Sequence, residues 1–367
     1  MLLEARLETI AAEVMKEALG LEEAPNPLLR PCGDPAHGDF QINGAMALAK
    51  RLKKSPRDIA APIAEAIVAH PAFSAASVAG PGFVNLTLDA AWVGACLSEI
   101  GGADLGIDQV PNPETIVVDY SSPNIAKQMH VGHLRSTIIG HALVQLLRKV
   151  GHKVISDNHL GDWGTQFGLL IAGLREAGGE IPGDDPLAGL ETIYKAASAR
   201  AKEDPEFAQV ARDELAKLQS GDEENVAHWK RFVEITLSSL KDVYERLGVE
   251  FDEWLGESAY NDRLAGVAQL LLDKGIATID GGAACVFFHE MGEIEGALPD
   301  AVPKRLRKQK SPFIVRKKDG AFNYATSDVA TVQYRREVFG ADRALYAVGS
   351  PQALHFAQLF SVMKLLG

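Results

Sequence analysis

The sequence predicts a doubly wound α/β domain of Rossmann-like type that carries a helical insertion and follows a small α+β domain. Three observations point there. Thr115-Ile116-Val117-Val118-Asp119 is a continuous apolar run of the kind that lies in a parallel sheet covered on both faces. After a loop comes a stretch with Leu134, Ile138, Ala142, Leu146 and Val150 at helical spacing, stopped by Gly151. Val154-Ile155-Ser156 then opens another strand, and strand, loop, helix and strand make half of a nucleotide-binding fold.

Taken in order, Leu3, Leu7, Ile10, Val14 and Ala18 predict a first helix. A loop rich in Pro and Gly runs from Pro25 to Gly38. Helices are expected over Asn43 to Lys54 and Pro56 to Val68, the second with Ser55 as N-cap and Pro56 at its first position. The segment Val78 to Leu88 ends in an alternating, β-branched strand. Gly101, Gly102, Pro111 and Pro113 then punctuate the chain, which places a domain boundary near residue 110. Residues 1–110 form one expected domain and 111–367 the other. From 187 to 248 the pattern is helical throughout, with Trp229, Phe232, Leu240, Val243, Tyr244 and Leu247 on one face. No βαβ crossover needs so many helical residues, so an insertion is expected at about 180–260. Cys285 to Phe288 and Phe313 to Arg316 are expected to resume the sheet, with a turn at Asp319-Gly320. Ala344 to Val348 reads as a further buried strand, followed by a helix ending at Gly367.

Composition narrows the class. Of 367 residues, 47% are hydrophobic and 23% charged, which excludes a disordered, collagenous or disulfide-stapled chain. With 37 basic against 49 acidic residues the formal net charge is −12, so a nonspecific nucleic-acid coat is excluded while a local basic face is not. Cys32, Cys96 and Cys285 are scattered, with no CxxC pair, which suggests reduced thiols and excludes a Cys-rich zinc site. Glu4, Glu8 and Glu13 interrupt any signal-peptide core, and no uninterrupted apolar stretch of ~18 residues is present. A soluble cytoplasmic protein, away from membranes, is the expectation.

The chemistry sits in the loop after the first parallel strand, Tyr120 to His133. Ligands of open α/β sheets bind at this edge, where a helix N-terminus favours anions. His130 and His133 can donate to phosphate oxygens, Gly132 lets an adenine ring approach the backbone, and Lys127 is a point charge for the same phosphates. Two other readings stand beside ATP binding. The histidines could cap or pack, or bind zinc with a third ligand such as His159 or Asp162.

Val117 to Lys127, the His-Val-Gly-His element and Leu134 to Gly140 together resemble bacterial-type arginyl-tRNA synthetases, a class I family. Asn158 to Gly168 matches a second signature, and Gly38-Asp39-Phe40-Gln41 with Ala79 to Asn85 resemble the family's appended N-terminal domain. The resemblance implies an arginine–tRNA ligase using ATP with Mg²⁺ and tRNA(Arg), acting as a monomer without a protein-bound metal. It puts His130, His133, Gly132 and Lys127 at the ATP, and Asp119, Ser122, Asn124, His133, Tyr324, Asp328 and Gln352 around the arginine. A planar, permanently charged guanidinium suits such a set of carboxylates and amides. For Tyr324 and Asp328 the alternative is an N-cap and a core aromatic. The resemblance also sets the N-terminal domain on the tRNA elbow, with Phe40 and Phe83 as stacking candidates, Phe83 more readily as core. Lys304, Arg305, Arg307, Lys308, Lys310, Arg316, Lys317 and Lys318 could meet tRNA phosphates or be a solvated hairpin face. Measured against the family, the chain is expected to be an N-terminal portion. The rival is a catalytically incomplete fragment that only binds arginine, ATP or tRNA.

Overall fold

The computed structural model describes residues 3–102 and 105–367 and divides into two compact units, Met1–Val110 and Pro111–Gly367. In the first unit α1 (Leu3–Leu19), α2 (Gly44–Leu52) and α3 (Pro56–Ile67) pack on an antiparallel sheet. Its strands are β1 (Leu29–Pro31), β2 (Phe40–Ile42), β3 (Phe73–Ala79) and β4 (Phe83–Leu88), in the order β1-β2-β4-β3. α4 (Ala90–Ile100) closes the unit. Leu7, Ala11 and Met15 meet Ile59, Ile63, Ile67, Val84 and Leu86 in the core. Ser55 caps α3 through Asp58 N–H, as its position before Pro56 predicts. The Val78–Leu88 segment is a hairpin, because Gly80-Pro81-Gly82 turns the chain between β3 and β4. The two phenylalanines exchange expected places. Phe40 is buried beside Ile42 while Phe83 is half-buried, since the alternation of β2 turns Gln41 outward instead.

The second unit is built on a parallel sheet of β5 (Thr115–Tyr120), β6 (Lys153–Asp157) and β10 (Arg343–Ala347), in the order β10-β5-β6. α5 (Val131–Lys149) is the crossover between β5 and β6. Its buried positions are Thr137, Gly140 and Val144, and the predicted stripe faces outward, with Ile138 48% and Leu146 62% exposed. The close seat explains this. A Cβ on Gly140 would stand 2.2 Å from Cγ of Tyr120, so the helix meets the sheet along its small residues. β10, an edge strand of this sheet, is half-buried rather than buried.

The helical segment is three helices, α7 (Pro186–Glu203), α8 (Pro205–Gln219) and α9 (Glu223–Leu247), preceded by α6 (Thr165–Glu176). Asp204 ends α7 and caps α8 ahead of Pro205, a break that the helical period alone does not reveal. Phe167, Leu170, Leu190, Phe232, Leu240 and Tyr244 join Ile116, Val118 and Tyr120 in one core, so the inserted helices cover a face of the sheet.

The segments Cys285–Phe288 and Phe313–Arg316 do not rejoin the parallel sheet. β7 (Thr278–Asp280), β8 (Ala283–Val286) and β9 (Phe313–Arg316) form a separate antiparallel sheet. Gly281 and Gly282, at φ of 54° and 89°, fold β8 straight back on β7 and make the pairing local. α10 (Asn261–Asp273), α11 (Tyr324–Glu337) and α12 (Ala353–Leu366) pack around it through Leu264, Leu271, Val329 and Leu359. The basic residues 304–318 are spread over a loop, a short 3-10 turn at Leu306–Lys308, β9 and the turn after it, so they make no single hairpin face.

Candidate active site

At the carboxyl ends of β5 and β10 lies a cavity of about 410 Å³. Asp119, Ser122, Asn124, Tyr324, Asp328 and Gln352 all line it, with His159, Glu257, Tyr346 and His355. The loop leaving β5 is strained into place. Ser121, Ser122 and Ala126 have φ of 70°, 50° and 60°, a left-handed backbone that non-glycine residues rarely adopt. Hydrogen bonds hold it there. The Ser121 hydroxyl lies 2.6 Å from the Tyr244 hydroxyl of α9 and accepts from Thr137 at 2.7 Å. Ser122 N–H donates to Asn158 Oδ1 at 3.1 Å, and its hydroxyl donates to Asp119 Oδ1 at 2.9 Å. Ala126 N–H donates to Thr236 of α9.

Asn124 is fixed by close backbone approach. It pairs with Gly161 in an isolated bridge, and a Cβ on Gly161 would lie 2.1 Å from Asn124 Oδ1. Asp162 beside it is committed to Ser258, which donates through its hydroxyl at 2.6 Å and its N–H at 2.8 Å. Burial, ahead of every compensating contact, raises the Asp162 carboxyl above its usual range.

On α11, Tyr324 and Asp328 stand one turn apart and face the cavity. The N-cap of α11 is Asn323, and Tyr324 is 59% exposed, so neither the cap nor the core-aromatic alternative holds. The Asp328 carboxylate lies 2.5 Å from His355 Nε2 and 4.0 Å from His159 Nε2. Glu257, between α9 and α10, also faces this space. Burial first, then the charges of Asp328 and Asp162, push its carboxyl up to about 8. Sequence reasoning misses His355 and Glu257, and reaches His159 only as a zinc candidate. They carry no local signature, because what brings them to Asp328 is packing between distant segments.

The His-Val-Gly-His element does not line this cavity and sits at the N-terminus of α5. His130 Nδ1 accepts from Gly132 N–H at 3.1 Å, and His133 Nδ1 accepts from His130 N–H at 3.3 Å. The rings stack with centroids 4.0 Å apart. This is a reciprocal cap, and it decides the tautomer, since a neutral ring accepting at Nδ1 carries its proton on Nε2. Capping and donation to an anion are therefore compatible in the same two rings. Burial, then the neighbouring His130 and Lys127, lower the His133 pKa. Lys127 Nζ stands 5.1 Å from the centre of the Tyr194 ring on α7. Among the described residues no group of three or more His, Cys, Asp or Glu is arranged to hold a metal ion.

Residues 100–367 match the family of class I tRNA synthetases (R), catalytic domain, and residues 5–88 match the arginyl tRNA synthetase N-terminal domain. The chain belongs to the arginyl-tRNA synthetase family. It is 45% identical over 337 residues to an arginine–tRNA ligase of Idiomarina loihiensis, covering 91% of this chain and 56% of that protein. An arginine–tRNA ligase of Pseudomonas aeruginosa is 46% identical over 337 residues, with 91% and 55% covered. This chain thus spans little more than half the length of those relatives. In fold it resembles the arginyl-tRNA synthetase crystal structure from Plasmodium falciparum, at a TM-score of 0.72 and 24% identity over 99% of this chain and 62% of that one. The Thermus thermophilus arginyl-tRNA synthetase gives 0.65 at 20% identity, with 100% and 64% covered. No helix among the described residues is long and apolar enough to cross a membrane.

Proposed function

We propose that this chain carries the arginine-activating site of an arginine–tRNA ligase. The observation that carries the reading is the gathering of Asp119, Ser122, Asn124, Tyr324, Asp328 and Gln352 around one cavity at the sheet's carboxyl edge. Asp119 and Asp328 supply charge to the substrate guanidinium, Tyr324 covers its plane, and Ser122, Asn124 and Gln352 fix the rest of the amino acid. The arginine carboxylate attacks the α-phosphate of ATP, bound with Mg²⁺, giving arginyl-adenylate and pyrophosphate. The 3′-terminal ribose hydroxyl of tRNA(Arg) then accepts the arginyl group.

His130 and His133 donate through Nε2 to phosphate oxygens as charge builds, and Gly132 leaves room for the adenine. His133 serves both substrates through Nε2, since its Nδ1 is held in the cap. Lys127 adds a cation next to that helix terminus. The N-terminal unit takes the tRNA elbow, the basic residues 304–318 meet tRNA phosphates, and the protein works as a cytoplasmic monomer.

ATP–pyrophosphate exchange with L-arginine, run with and without tRNA, tests the reading. Exchange specific to arginine is expected, and exchange driven by another amino acid would overturn it. Arginine binding without exchange would favour the incomplete-fragment alternative. His133→Ala is expected to lower adenylate formation by at least about tenfold, a floor below the roughly 10²–10³-fold typical for losing one transition-state donor. A near-normal rate would remove the histidines from the chemistry.

A further inference from the structure

Behind the cavity three side chains lie abreast on adjacent strands. Tyr346 of β10 pairs with Asp119 of β5, and Asp119 pairs with Asp157 of β6. In-register neighbours on a sheet are about 4.8 Å apart, so two carboxylates stand side by side in a nearly dry place. Asp157 is 0% exposed and Asp119 5%. Two such groups cannot both remain ionised unless a cation joins them. Arg335, near the end of α11 and 1% exposed, is that cation. Its Nη2 donates to Asp119 Oδ2 at 2.6 Å and to Asp157 Oδ2 at 2.7 Å, and its Cζ stands 5.3 Å from the centre of the Tyr346 ring.

Only Asp119 and Tyr346 of this group reach the cavity lining. Nothing in the substrate-facing set requires Arg335 or Asp157, and a buried ion triad is not an economical way to stabilise a fold. Arg335 Nε and Nη1 and Asp157 Oδ1 are buried without hydrogen-bond partners, so the arrangement is poor as packing yet well placed as charge.

We propose that Arg335 is the positioning residue of the arginine pocket, bridging Asp119 and Asp157 so that the two carboxylates stand together and the triad keeps one net negative charge behind the cavity, beside that of Asp328. The inference rests on the arginine-pocket reading. Asp119 is then pinned from two sides, by Arg335 at one oxygen and by the Ser122 hydroxyl at the other. The cavity meets its ligand with Asp119 already oriented, which lowers the ordering cost of binding. Other ionisable groups facing the triad are Tyr260, His159 and, across Tyr346, Asp328. Burial raises the Asp157 carboxyl and Arg335 opposes that rise.

Two readouts test this on the whole chain. The first is the melting midpoint between pH 5 and 8 without ligand. In Arg335→Met the two carboxylates share a proton, so the folded state binds more protons than the unfolded one. Its midpoint should therefore fall as pH rises, relative to the unsubstituted chain. Adding Asp157→Asn should flatten that slope again, and Arg335→Lys should keep much of the original profile. An Arg335→Met profile parallel to that of the unsubstituted chain overturns the inference, whether or not arginine binds.

The second readout is L-arginine affinity by calorimetry in Asp157→Asn. This substitution keeps shape but cuts the triad's charge to zero, and it serves even where Arg335→Met fails to fold. Affinity should drop by about tenfold although Asp157 does not line the cavity; unchanged affinity would sink the charge argument. An unsubstituted chain that binds no arginine would instead overturn the functional reading, leaving the melting profiles to judge the triad.

Discussion

Glu257 shows how a single side chain can set the pH response of the whole site. With its carboxyl pushed up to about 8 by burial and by Asp328 and Asp162, it is largely neutral at pH 7. An entering guanidinium favours its ionised form, so L-arginine affinity should rise between pH 6.5 and 8.5, by no more than about tenfold per unit for one proton. Glu257→Gln should flatten that profile, and titration calorimetry at several pH values checks both. The stability sign is opposite. A carboxyl whose folded pKa is raised binds its proton more tightly in the native state, so its contribution is complete below its unfolded pKa and lost as pH rises towards 8. Gly161 offers a steric test at the same scale. In Gly161→Ala the new Cβ would lie 2.1 Å from Asn124 Oδ1 and must displace that amide or the bridge that holds it. Arginine binding should weaken by about tenfold or more, while a fully buried core substitution elsewhere would lower stability without touching affinity.

Among the elements, α5 tells most about what periodicity can and cannot say. Leu134, Ile138, Ala142 and Leu146 make a helix legible, and a helix is present, but the side it buries is chosen by Gly140 and Tyr120. Leu146→Ala should cost less than about 0.5 kcal/mol, because the side chain is 62% exposed. Val144→Ala should cost about 2 kcal/mol, because that residue is fully buried between helix and sheet. Denaturant titration of the two variants checks the order, and a reversed order would contradict the seat of α5. Strand identity is similarly readable at 115–119, 154–156 and 313–316. The partners of the last are not, since Gly281-Gly282 closes β7 on β8 and makes a second sheet. α6 escapes a sequence reading because its Gly-Thr-Gln-Phe-Gly start looks like loop, while packing against α7 and α8 makes it a helix.

Across the molecule, an acidic chain of net charge −12 can bind RNA only where its cations are local. The Lys317 and Lys318 turn follows β9, and Lys317 borders a second cavity that shares Asn124, Glu257 and Tyr324 with the cavity at the sheet's carboxyl edge. Replacing both lysines with Ala should weaken tRNA binding uniformly and reduce the salt slope of log affinity by roughly one for each phosphate no longer neutralised. Filter binding across a salt series checks this, and an unchanged slope would return the basic residues to a solvated surface.

The sequence by itself carried the strand–loop–helix–strand unit, and its resemblance to a known family supplied the family and the groups Asp119, Ser122, Asn124, Tyr324, Asp328 and Gln352 that line the cavity at the sheet's carboxyl edge. The strand, loop and helix are encoded in contiguous motifs, where spacing along the chain is also spacing in space. Tyr324 and Asp328 come from the resemblance, since their spacing alone leaves an N-cap and a core aromatic open; the structure puts them one turn apart on α11. Only the tertiary structure decided that His159, Glu257 and His355 surround the same space, that His133 caps α5, and that Arg335 joins Asp119 to Asp157. Those relations connect residues as far as 216 positions apart. No local period carries such a distance, and the closing of β10 and α11 against β5 is what brings the charges together.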